Sequence, residues 1–240
     1  MLNALAIAAG YPGPAERQAV SALGVVRHET FHALFARYRR TAPTWRRSSS
    51  SSPVQELMLL VLNEGVAHFA DRRRWLLEHG LPKERGTRAL ERLARALERQ
   101  AQVEPGSAEA RQIVGAAGEG PYWDKFGAIS GMLLTLGVYR AMGVPGIRES
   151  LRCGPGRLVQ LYRGARQILP HLPEPPEILV RMGKMPVEQT RRGGDAISAS
   201  GRRHGPDAPK SDVIAEARRR HGLAVRGTHV LREAVPGTAA

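Results

Sequence analysis

The apolar positions of this chain recur mostly at helical spacing. The clearest case is Thr87 to Gln100, where Leu90, Leu93, Ala94 and Leu97 form one stripe and Arg and Glu fill the opposite face. That is the pattern of a helix packed on a core with its charges in water. No proline falls between Ala15 and Ala42, and Val25, Val26, Phe31, Leu34 and Phe35 lie within that stretch. The pattern predicts a helix over about 15–40, with Glu16 near its start and Arg37, Arg39 and Arg40 near its end, as the helix dipole favours. A second long helix is predicted from Pro53 to Glu78, with Ser52 as N-cap, Pro53 at the first position and a stop at His79-Gly80-Leu81-Pro82. A shorter helix is predicted over 107–114, then a buried one from Phe126 to Met142 ended by Gly143 and Pro145. Further helices are expected at about 146–152, 156–169 and 176–185.

The segments between these helices carry turn chemistry. Thr41 to Ser52 contains Pro43 and a serine run, and reads as a linker or as a flap between the two long helices. Trp45 in it is a candidate anchor at a cleft rim. Gly115 to Gly120 reads as a glycine-rich loop, but it lacks the preceding strand and the Lys-Ser/Thr that a phosphate cradle needs. The fold class is therefore mainly α, with little β structure; only residues 2 to 9 leave a strand open. The four prolines between Pro170 and Pro176 mark the end of the compact unit. We divide the chain into an N-terminal segment 1–14, a helical domain 15–185 and a tail 186–240. The tail is basic and poor in large apolar side chains, and is expected to be mostly disordered.

The first helix carries His28-Glu29-Thr30-Phe31-His32. Residues four apart share a helix face, so His28 and His32 can offer two imidazoles to one metal ion, and Glu29 can take a proton from a water beside it. A catalytic zinc site needs three protein ligands and one open position. The best third candidate is Glu64, in Leu62-Asn63-Glu64-Gly65-Val66-Ala67-His68, with Glu56 in reserve. His68 and Asp71 follow Glu64 on the same helix and are candidates to orient a ligand imidazole from behind.

His-Glu-x-x-His followed by Asn-Glu-Gly-x-Ala resembles the gluzincin clan of zinc peptidases. By that resemblance His28, His32 and Glu64 bind Zn2+, Glu29 is the general base, and a Tyr or His steadies the oxyanion. Tyr122 is the candidate for that last role; its other reading is a Tyr-Trp pair capping the core. Gly120-Pro121-Tyr122-Trp123-Asp124-Lys125-Phe126-Gly127, with the apolar helix after it and then Gly154-Pro155 and Leu161-Tyr162, is similar to a bacterial family described only as putative zinc-dependent peptidases. The similarity spans roughly residues 15 to 170 and implies a peptide or protein substrate. Peptidases of the clan usually carry a β-rich segment before the zinc helix, which is short or absent here.

Charge and composition change this picture little. The net charge of +14 suits an anionic partner, but aromatics are only 5% of the chain. A base-stacking surface is poorly supplied, so nucleic acid is the weaker expectation. The charge keeps one alternative open, a non-catalytic zinc-bound or basic binding protein. The single cysteine, Cys153, excludes an intrachain disulfide and a Cys-based zinc site. No transmembrane span is expected, because the run Phe126–Tyr139 is shorter than the ~18–20 residues required. No clear signal peptide is read at the N-terminus, which places the chain in the cytoplasm as it stands, or outside it if a leader has been lost.

Overall fold

The computed structural model describes residues 14–46 and 52–184. The expectations for residues 2–9, for most of the serine run and for the basic tail lie outside the described residues. Among the described residues the chain is helical and contains no strand. The elements are α1 (Ala15–Thr41), α2 (Pro43–Arg46), α3 (Pro53–His79), α4 (Lys83–Gln100), α5 (Ala108–Gly118), a 3-10 turn (Tyr122–Asp124), α6 (Phe126–Cys153), α7 (Pro155–Ile168) and α8 (Glu177–Lys184).

Local chemistry sets the ends of α3, the helix on which most of the others rest. The Ser52 side chain accepts from the Gln55 N–H, and the Gln55 amide oxygen accepts from the Ser52 N–H, a reciprocal cap with Pro53 at the first helical position. At the other end Gly80 takes a positive φ of 76°. There Arg140, reaching across from α6, donates to the Leu76 carbonyl at 3.1 Å. A cation on the last carbonyls complements the dipole of α3.

α3 and α6 make the most extensive helix pair in the molecule. Leu57, Met58, Val61 and Leu62 from α3 and Ile129, Met132, Leu133, Leu134 and Leu136 from α6 are almost fully buried. The two backbones touch at a pair of glycines. A Cβ built on Gly131 would overlap the Val61 carbonyl oxygen and lie 2.8 Å from Gly65 Cα. Only residues without side chains permit that approach, and it fixes the height of α3 one residue from Glu64.

α6 is 28 residues long and apolar enough, by length and composition alone, to cross a membrane. The sequence marks a shorter uncharged run, Phe126–Tyr139, before Arg140, and predicts that the helix ends at Met142, before Gly143 and Pro145. Gly143, at φ 64°, makes a kink across which the helical path resumes. Within the fold 72% of the apolar window is buried, and its neighbours are α3, α4, α5 and α7, as expected for a central core helix.

Two other boundaries differ from expectation. α5 runs on to Gly118, so residues 115–118 of the supposed glycine loop are helical. Ala117 is fully buried and packs close to Gly127 of α6, which rewards continuing the helix. α4 begins at Lys83, one turn before Thr87. Gly86 there is closely packed, since a Cβ built on it would lie 3.2 Å from Leu133 and 3.4 Å from Leu81, so the turn is held by packing rather than by propensity. Trp45 donates to the Leu151 carbonyl at 3.0 Å and packs edge-on against Phe35, pinning α2 to the far end of α6.

Candidate metal centre

α1 rests on α3, and the face it turns inward is narrow. Gly24 and Phe35 are buried along it, Phe31 stacks on Phe35 with ring centroids 5.6 Å apart, and Val20 and Leu34 on the outer side are 72% and 61% exposed. Between Gly24 and Phe35 this inward face carries His28 and His32, one turn apart. Gly24 gives α3 room: a Cβ there would overlap the Asp71 carboxylate. Helix periodicity and one missing side chain thus bring the two imidazoles down onto Glu64.

Ligand atoms of His28, His32 and Glu64 all lie within 4.8 Å of one another. His32 Nε2 is 3.4 Å from one Glu64 oxygen, and His28 Nε2 is 3.8 Å from the other. The two imidazole Nε2 atoms are 2.9 Å apart. On its far side His32 Nδ1 meets the Asn63 amide oxygen at 3.1 Å. An amide oxygen only accepts, so Nδ1 carries the proton and Nε2 of neutral His32 presents a bare lone pair. Two ring nitrogens this close need a proton or a cation between them. Two imidazoles and a carboxylate directed at one point fit a zinc ion.

Burial, and then the charge His32 would carry, push the His28 pKa down. His68 is pushed further, to about 3, by burial first and next by the nearness of His28. Lys125 acts on both rings in the same sense. His28 and His68 are thereby favoured as neutral imidazoles, the form in which a histidine ligates metal.

The remaining candidates are placed as follows. Glu29 is exposed beside the cluster, close enough for its charge to act on His28. His68 lies one turn after Glu64, with Nε2 3.8 Å from Glu64 Oε2 and its ring 4.6 Å from that of His28. Tyr122 stands edge-on to His68 at 5.5 Å; its hydroxyl donates to Met132 Sδ at 3.5 Å, and the Arg72 guanidinium lies 4.2 Å from its ring centre. Asp71 packs against Gly24 and pairs with Arg72 at 3.7 Å; burial raises its carboxyl pKa against the pull of Arg72 and Arg27. Glu56 is exposed in the first turn of α3, two turns from Glu64. Cys153 pairs with Glu149 and takes no part in the cluster.

One residue of the site had no role assigned from sequence. Asn63 stood in the string that pointed to Glu64, but its neighbour drew the attention. Its position offers the only sequence signal: on a helix it stands about 100° round from Glu64, which suits a group that reaches a ligand from the side.

A model of a family described as "putative zinc dependent peptidase (DUF5700)" matches residues 19–104 of the chain. That stretch contains α3 and all but the first residues of α1, and so includes His28, Glu29, His32, Asn63, Glu64 and His68. No curated protein and no solved structure matches.

Proposed function

We propose that this chain is a zinc-dependent peptidase whose metal is held by His28 Nε2, His32 Nε2 and a Glu64 carboxylate oxygen. The observation that carries this is the convergence of those ligand atoms, from two crossing helices, to within 4.8 Å. The description of the family matching residues 19–104 supports the same reading. Zinc bound there would supply Lewis acidity, polarising a peptide carbonyl and lowering the pKa of a water molecule.

The rest of the chemistry falls to the chain's own side chains. Asn63 holds the His32 ring so that Nε2 faces inward. The Glu29 carboxylate, exposed next to His28, takes the proton of the attacking water and returns it to the leaving amine. The Tyr122 hydroxyl, which donates to the Met132 thioether, turns to the oxygen on which negative charge develops. The half-buried Lys125 adds positive charge beside the cluster and favours that same developing charge.

Removal of metal by a chelator is expected to abolish hydrolysis of a peptide pool, and one equivalent of zinc to restore it. Hydrolysis that persists in chelator, with no metal detectable on the protein, overturns the proposal. Zinc bound without cleavage of any peptide in the pool leaves the non-catalytic scaffold as the better account.

A further inference from the structure

We infer that His68 is a positioning residue for the metal carboxylate: its Nε2–H holds one oxygen of Glu64 so that the other is presented to the ion. This rests on the zinc site proposed above and adds a part to it.

His68 is 9% exposed, and it sits one helical turn beyond Glu64 on α3, where side chains four apart meet. Its ring is walled by His28 on one side and Tyr122 on the other, both edge-on. Its Nδ1 is buried with no hydrogen-bond partner. An enclosed nitrogen without an acceptor is better left as a bare lone pair than as an N–H, because orphaned buried N–H groups are rarer in folded proteins than under-satisfied acceptors. The ring proton therefore belongs on Nε2, and Nε2 faces Glu64 Oε2 at 3.8 Å. Closing that gap by about 0.8 Å gives an ordinary N–H···O bond.

Carboxylate rotation is the looseness this removes. Glu64 reaches the cluster through three rotatable bonds, and both of its oxygens lie within 4 Å of a ligand imidazole, Oε1 near His32 and Oε2 near His28. A donor on Oε2 selects Oε1 for the ion, as Asn63 selects Nε2 of His32. The two outer contacts come from opposite sides of Glu64 on the same helix. His68 is not itself one of the group of three whose ligand atoms lie within 4.8 Å of one another. A protonated Nε2 has no lone pair to give, so the role is support and not ligation.

The test compares wild type, His68→Leu and His68→Gln. Gln places an N–H near the position of Nε2; Leu fills similar space without a donor. Zinc affinity is measured by competition with a chromophoric chelator, and coordination by the visible absorption of the cobalt-loaded protein, with thermal unfolding as the check on folding. The expected result is a roughly 10- to 100-fold loss of affinity in His68→Leu. His68→Gln should recover most of it, and the cobalt bands should keep wild-type position and intensity in both variants. Unchanged affinity in His68→Leu overturns the inference, and so does a Gln variant as weak as Leu. Cobalt bands that lose intensity or shift in both variants would make His68 a ligand instead. Failure of the wild type to bind zinc or cobalt would count against the zinc site itself, a separate outcome.

Discussion

Glu29→Gln is expected to load zinc as the wild type does and to lose peptide hydrolysis by roughly 100- to 10,000-fold, the range that one general base contributes. Glutamine keeps the length and the hydrogen-bonding outline of glutamate but cannot take a proton. Glu29 is exposed, so the exchange leaves the core untouched and stability should change by no more than about 0.5 kcal/mol. It follows His28 by one residue but is not one of the three residues whose ligand atoms converge, so metal content should hold. Activity within a few-fold of wild type, at full zinc occupancy, would remove Glu29 from the mechanism and leave the base to be found elsewhere.

The second large effect lies in the scaffold. Gly131→Ala is expected to destabilise the protein by about 3 kcal/mol or more, at or above the upper end for overpacking, because the added methyl meets backbone and not a side chain that can swing aside. For a domain of this size that is a fall of roughly 6–12 °C in Tm. The obstacle is the Val61 carbonyl, one helical turn before Gly65, so relief requires α3 to lift from α6. Glu64, Asn63 and His68 ride on that part of α3, and the surviving folded protein should also bind zinc more weakly. Gly164→Ala is the control. A Cβ there finds Met142 Cε at 3.5 Å, an ordinary contact, and the helix interior gains up to about 1 kcal/mol from losing a glycine. Equal Tm values for the two variants would contradict the described crossing of α3 and α6.

These two sites show what a sequence carries and what it withholds. The helices were legible because their signals are local: the i, i+3, i+4, i+7 stripe of α4, the Ser52-Pro53 start of α3, the proline-free span of α1. The pairing of His28 with His32 was legible for the same reason, since four residues on a helix always make one face. Glu64 needed more, and came from a resemblance in its neighbourhood. Its meeting with the histidines depends on Gly24, which has no signal in the chain, and on the Gly65–Gly131 approach, of which the sequence shows one half: the Gly-x-x-x-Gly spacing of Gly127 and Gly131 predicts a close helix contact but not its partner. Residues 115–118 were misread because glycine was weighed by propensity, whereas burial of Ala117 against α6 decided the outcome. The kink at Gly143 was visible as a break, but not the fact that the helical path resumes beyond it. Asn63 was overlooked because a hydrogen bond between residues 31 apart has no local signature.

The measurement that bears most directly on the central claim is the metal content of the purified full chain by elemental analysis, wild type against Glu64→Ala. Two imidazoles and a carboxylate hold zinc far better than two imidazoles alone, and loss of a ligand should exceed the ~10- to 100-fold that an outer partner contributes. The account predicts about one zinc per wild-type chain and little or none in the variant after the same dialysis. Wild-type protein that takes up no zinc on reconstitution, or a Glu64→Ala variant that retains the full equivalent, would contradict it.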